Sequence, residues 1–197
     1  MGLAVLIVGL LIFLATHVFV SMRSARAAAI ARLGKVTYHG LFGLVSTVSV
    51  VLIAWGFVNY RAHGLIPVWS PPAFMHHITI GLMWFAVVLA LAGYLRGHIA
   101  AWTKYPMIAA VKVWAFAHLL SNGDLGAILM FGGFLGWAVF VRIALKRRDK
   151  TEGIKRPVEP GWTNDIICVL LGTVLYLALG YVFHPVIIGV PVFGVGA

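Results

Sequence analysis

The sequence predicts an all-α, polytopic integral membrane bundle of six transmembrane helices, with the N-terminus and the C-terminus both outside. Three observations carry that reading. Only 10% of residues are charged, 62% are hydrophobic and the mean hydropathy is +1.01. The apolar residues fall in long unbroken runs. The Lys and Arg residues fall between those runs, and almost all of them in alternate connections. A β-barrel would show strands of about ten residues alternating apolar and polar. Continuous apolar runs instead need helices, which satisfy their backbone hydrogen bonds internally in lipid.

A hydrocarbon core of about 30 Å takes about 20 apolar helical residues. Leu3 to Val20, Tyr38 to Val58, Phe74 to Leu95, Leu125 to Leu145 and Ile166 to Phe183 meet that need. Pro106 to Ser121 is shorter and makes a sixth span, the fourth in order. Pro106 suits a first helical position. Ser121, Asn122, Gly123 and Asp124 form a tight turn, with Asp124 capping the fifth span. Ser24 to Lys35, rich in Ala and Arg, reads as a surface helix. Gly132 and Gly136 form a small-residue face on the fifth span, suited to close approach of another helix. Pro67, Pro71 and Pro72 with Trp69 make a short connection at the interface. The tail from His184 to Ala197 is apolar, broken by Pro185 and Pro191, and is expected along the outer interface. The whole chain, residues 1–197, reads as a single membrane domain.

The first connection holds Arg23, Arg26, Arg32 and Lys35, the third Arg96 and Lys104. The fifth holds Arg142, Lys146, Arg147, Arg148, Lys150, Lys155 and Arg156. The second holds Arg61 alone and the fourth none. Positive residues concentrate on the cytoplasmic side, so the odd connections are expected there. No Lys or Arg precedes the first span, which is expected to be a retained anchor rather than a cleaved signal.

The same placement explains the net charge of +10. Basic residues beside spans face anionic lipid headgroups, so no nucleic-acid partner is expected; the bilayer is. Cys168 is the single cysteine, which excludes an intrachain disulfide, a Cys-x-x-Cys zinc pair and covalent c-type haem. It reads as a small buried residue. Hydrolysis is not supported, because Ser46, Thr47 and Ser49 lack a paired acid and a Gly-x-Ser-x-Gly turn.

Polar groups at membrane depth need a reason. Lys112, inside the fourth span, is one. Of the eight histidines, His39, His63, His98 and His184 lie near span ends and read as ordinary interface residues. His17 and His118 lie deeper, either as hydrogen-bonded core residues or as ligands. Asp124, Asp149, Glu152, Glu159 and Asp165, the only acids, lie outside the spans, so a carboxylate-rich metal centre is not expected there. Haem asks only for one or two axial imidazoles and an apolar slot. Arg61, Arg96, Lys112 and Arg142 are placed to meet its propionates, and the haem would be b-type. On a helix, Trp114 and Asn122 share the His118 face at i−4 and i+4. Trp114 walls a slot and Asn122 orients the ring.

The stretch KYPMIAAVKVWAFAHLLSNGDL from Lys104 to Leu125 closely resembles the signature of the NnrU family. So do FGGFLGWAV from Phe131, RIALKRR from Arg142, FLATH ending at His17, LFGLVS from Leu41 and PPAF from Pro71. Together they span most of residues 1–150. The resemblance implies a bacterial inner-membrane protein linked to denitrification and nitric oxide metabolism. The family is also related to 15-cis-zeta-carotene isomerase, a membrane enzyme that uses haem b. Its proposed axial histidines map onto His118 and His17. Two positions depart from the pattern. Tyr105 stands where the family commonly has His, and Ala115 stands where the isomerase has a ligand-exchanging cysteine. The predicted topology puts His17 in the inner half of its span and His118 in the outer half of its own. His77, at the outer start of the third span, lies nearer His118 in depth and is the rival partner. The resemblance thus implies a haem-dependent redox or isomerase-type enzyme on an apolar substrate. The alternative is a non-enzymatic factor assisting haem or nitric-oxide reductase assembly. A transporter is the weakest reading, since the spans lack paired charges and a repeat.

Overall fold

The structure, a computed structural model, describes residues 1–154 and 161–193. Lys155, Arg156, Glu159 and the last residues of the apolar tail fall outside them. The regular elements of the described residues are helices: α1 Gly2–Ser21, α2 Arg23–Leu33, α3 Lys35–Ala62, α4 Phe74–Ala92, α5 His98–Thr103, α6 Pro106–Ser121, α7 Leu125–Glu152 and α8 Trp162–Ala178. A π-helical stretch, Leu179–Ile188, prolongs α8. Five helices among the described residues are long and apolar enough to cross a bilayer: α1, α3, α4, α7 and α8 with its extension. At 16 residues, α6 is shorter, about 24 Å at 1.5 Å per residue.

The surface fits a chain that crosses a bilayer several times. On α3, Leu44, Val48, Val51, Trp55 and Val58 are all exposed at helical spacing. On α8, Ile166, Leu170, Val174 and Leu177 do the same. Apolar stripes of that length are unusual on monomeric soluble proteins and cost nothing against lipid tails.

The chain divides into two compact units, one of residues 1–70 and 122–144, the other of residues 71–121 and 145–197. In the first, α1 and α3 pack as a close pair and α2 lies against both. Small residues make the approach possible. A Cβ on Gly2 would lie 2.3 Å from the Tyr60 nitrogen, one on Gly9 2.8 Å from the Ile53 nitrogen, and one on Gly56 2.4 Å from the Leu6 nitrogen. Ser49, fully buried, sits seven residues before Gly56. The spacing of seven keeps one face of each helix toward its partner. The junction between α2 and α3 falls at Gly34, whose φ of 79° favours glycine.

On α7 the close approaches fall at Gly126, where a Cβ would meet the Tyr60 ring at 2.3 Å, and at Gly133, against Leu10. This corrects the expectation at Gly132 and Gly136, where an added Cβ would meet nothing within 4 Å. The contact face repeats at seven residues, not four. Asp124 caps α7 as expected, its carboxylate accepting the Ala127 N–H at 2.9 Å. The turn before α7 is tied to the loop after α3: Leu125 N–H donates to Ile66 O at 2.9 Å, and Val68 N–H to Gly123 O at 2.9 Å.

In the second unit α4 packs against both α6 and α8. Val88, Ala92 and Cys168 form its core, with Trp84 and Leu91 against them. Cys168 is fully buried and its thiol donates to Val88 O at 3.1 Å. Polar side chains are spent on joining helices: Trp84 Nε1 donates to Thr173 Oγ1 at 3.0 Å, and Tyr176 O–H to Ile80 O at 3.1 Å. The short helix α5 was not expected. It is anchored by Asp165 of α8, described below.

Candidate functional site: two imidazoles in the second unit

His118 lies on α6, partly buried. Its Nδ1 is 2.9 Å from the Trp114 carbonyl one turn back, and the Trp114 ring stands 5.4 Å away. Donation by Nδ1–H to that carbonyl leaves Nε2 with the lone pair, the tautomer a metal-binding imidazole uses. The contact alone is not diagnostic. His17, His39 and His63 make the same bond to the carbonyl four residues earlier, so it is a habit of helical histidines.

What distinguishes His118 is its neighbour. The His184 ring lies with its centroid 6.3 Å from that of His118 and its plane within 25° of parallel. His184 Nδ1 is buried without a hydrogen-bond partner, and Phe183 stands beside it at 6.2 Å. The π-helical stretch sets this register. Pro185 has no N–H to give to an α-helical ladder, and the chain answers with wider turns, a feature that concentrates at functional sites. Past them, Val190 N–H reaches back to His184 O at 3.2 Å. Thr79 of α4 donates to Ala117 O at 2.8 Å and shares a short hydrogen bond with Ser121, which fixes the end of α6 that carries His118.

The residues expected at the site fall as follows. Trp114 and His118 are together. Lys112 is partly buried on α6 and makes no ion pair among the described residues. Asn122 lies just past the end of α6 and belongs to the first unit. His77 is exposed at the start of α4, its ring 6.0 Å from that of His76. His76 in turn reaches Val192 O at 3.1 Å. His17 belongs to the first unit, boxed by Phe13 at 3.8 Å, Phe42 at 5.3 Å and Trp137 at 5.5 Å. Sequence reasoning passed over His184 because Pro185 marked the end of the span.

It also passed over His98. Asp165, 7% exposed, accepts the backbone N–H of His98 and of Ile99 at 2.9 and 3.0 Å, and His98 Nδ1 lies 2.8 Å away. Trp162 stacks on the imidazole at 4.1 Å. Gly97 leaves room for the carboxylate, since a Cβ there would lie 2.3 Å from Oδ1. An acid in the first turn of α8 was a readable signal. Asp165→Ala strands three donors, each bond to a charged group being worth about 1.5–3 kcal/mol. It is expected to cost about 3 kcal/mol or more, read as a lower thermal midpoint in detergent. Asp165→Asn, which keeps an acceptor, is expected to lose less.

Among the described residues no group of three or more His, Cys, Asp or Glu side chains is gathered to hold a metal ion. Among the described residues, the fold and site define a multi-helical protein with five helices long and apolar enough to cross a bilayer and a near-parallel imidazole pair. The chain belongs to the NnrU family, described as NnrU protein, whose pattern matches residues 5–192. The match thus reaches past α7 and takes in α8, its π-helical stretch and His184. No curated protein and no solved structure matches the chain.

Proposed function

We propose that this NnrU protein is a six-span component of the bacterial inner (cytoplasmic) membrane that holds haem b through His118 and acts in denitrification or nitric oxide metabolism. In this reading it is a redox or isomerase-type enzyme on an apolar substrate. The observation that carries the proposal is the His118–His184 pair. A group needing two imidazoles and no carboxylate fits this donor set, in which His184 offers an unpartnered Nδ1. Bound haem supplies a one-electron redox centre. His118 and His184 would hold it, Trp114 and Phe183 would flank it, and Lys112 is the basic residue on the same helix as His118. His17 and His77 are the rival ligands.

Loop pairing supports the six-span topology. The second and fourth connections are hydrogen-bonded to each other through residues 66–69 and 123–125. The third and fifth are joined by Tyr105 with Asp149 and by Asn164 with the Arg96 carbonyl. Even connections thus meet even and odd meet odd, as the charge asymmetry requires. A periplasm-active reporter fused after Ala197 is expected to be active and one fused after Lys150 inactive. The reverse would remove the topology.

One observation favours the non-enzymatic alternative. Ala115, fully buried, offers no donor where the related isomerase has its exchanging cysteine. The visible spectrum of purified protein tests the haem reading. A strong Soret band at near one haem per chain is expected, and no band in protein made with ample haem would overturn it.

A further inference from the structure

We propose that the groove between α5 and the start of α8 binds the head ring of a quinone, a flat, uncharged carbonyl compound carried on an apolar tail in the bilayer, with His98 and Asp165 as its polar contacts. The groove has a volume of about 360 Å³ and belongs wholly to the second unit. Small-molecule sites run from about 300 to 1,000 Å³ and are mostly apolar, with a few convergent polar groups. Trp102, Trp162, Ile166 and Leu170 line this one beside the His98–Asp165 pair.

Anchoring α5 does not account for the imidazole. Asp165 holds that helix by accepting the backbone N–H of His98 and of Ile99 at 2.9 and 3.0 Å. Any residue but proline at position 98 would supply the first of those bonds. The imidazole adds an Nδ1 contact of 2.8 Å to the carboxylate. Its Nε2 makes no hydrogen bond among the described residues. The His98 side chain is 18% exposed and that of Asp165 10%, so the pair is largely withdrawn from water. A carboxylate on Nδ1 orients the ring and sets the role of Nε2. With one ring proton, held at Nδ1, Nε2 accepts, which suits a quinol hydroxyl. With two, Nε2–H donates, which suits a quinone carbonyl. One atom thus serves both members of the couple.

The rest of the lining selects the class of ligand. Trp162 stacks on the imidazole at 4.1 Å, and Trp102 stands 6.0 Å from it. Both indoles are mostly exposed and offer faces to a flat ring. Interface position alone would account for the tryptophans but not for the acid–imidazole pair beside them. Ile166 and Leu170 belong to the exposed stripe of α8 that runs on through Val174 and Leu177. A tail laid along that stripe connects the groove to the apolar part of the bilayer. Charge argues against an anionic lipid head. Among the described residues no Lys or Arg lines the groove, and the Asp165 carboxylate would repel a phosphate.

The full chain in phosphatidylcholine nanodiscs tests this, with decylubiquinone, its reduced quinol and decanol as probes. Affinities are read by titration calorimetry. A photoreactive azido derivative of decylubiquinone is cross-linked and its site mapped by mass spectrometry. Quinone and quinol are expected to bind saturably and decanol far more weakly. Cross-links are expected within residues 98–102 and 162–170. His98→Phe keeps a ring beside Trp162 and the backbone bonds to Asp165. It is expected to weaken quinone binding about tenfold, as loss of one hydrogen bond implies. Trp102→Ala, at an exposed position, is expected to weaken binding about two- to tenfold with the thermal midpoint unmoved. A purely structural His98 would give the opposite result, a lower midpoint in His98→Phe with the affinity unchanged, and that would overturn the site. So would the absence of saturable binding to wild type, or cross-links elsewhere. Should His98→Phe fail to accumulate, Trp102→Ala carries the test, and an unchanged affinity there overturns the proposal. Decanol binding as tightly as the quinone would overturn the ring as the occupant.

Discussion

Replacing Gly56 with alanine is expected to break the α1–α3 pair and to lower accumulation of the folded protein sharply. The added Cβ would lie 2.4 Å from the Leu6 nitrogen and 2.8 Å from its Cα. Neither atom is the end of a flexible side chain, so the clash is relieved only by moving one helix bodily. Over-packing commonly costs about 1–3 kcal/mol and sometimes more. Here the upper part of that range or beyond is expected, because separation also undoes the seats of Gly2 and Gly9. Thermal denaturation in detergent reads the loss. Gly132→Ala is the matched control, since its Cβ meets nothing within 4 Å. Ordinary helix propensity then makes it neutral or stabilising by up to about 1 kcal/mol. Equal effects from the two would mean that α1 and α3 do not meet along this seam.

His118→Ala is expected to remove bound haem while the protein still inserts and accumulates. Changing a residue that merely orients a ligand costs about 10–100-fold in affinity; loss of a ligand itself should cost more. A packing role would give the opposite pair of results, a lower thermal midpoint with the spectrum unmoved. His184→Ala is expected to shift the Soret band or deplete haem, because its ring faces His118. His77→Ala, at an exposed position beside His76, is expected to leave the spectrum alone. His17→Ala separates the family-implied partner from the one that the second unit brings to His118. If His17→Ala abolishes the band and His184→Ala does not, His184 loses its role. An unchanged spectrum in His118→Ala would remove the site assignment.

The long apolar helices were legible because length and continuity of apolar residues mark them, and Pro106 to Ser121, read as a helix, matches α6 residue for residue. The surface helix at Ser24 to Lys35 and the Asp124 cap were legible from local chemistry. The close-approach glycines were harder. Spacing of four singled out Gly132 and Gly136, but the rotation of α7 about its axis decides which face meets a neighbour, and that face carries Gly126 and Gly133. The site was legible by half. Trp114 and His118 are one turn apart on one helix, a relation that sequence spacing contains. His184 is brought to His118 from 66 residues away, past a proline that reads locally as an end. Asp165 and His98 likewise meet across separate elements, and only an acid at the start of a span hinted at them.

The π-helical stretch acts as a keeper of phase. Each residue of a helix, α or π, adds roughly a quarter turn, so losing any one residue from 179 to 183 would swing the described residues beyond it by about that angle. His184 would turn away from α6, and the Val192 carbonyl would leave His76, although no side chain of either contact had changed. Between α8 and His184, length is therefore under tighter constraint than composition. Most apolar substitutions there should be silent, while a single deletion should be as damaging as removal of the histidine.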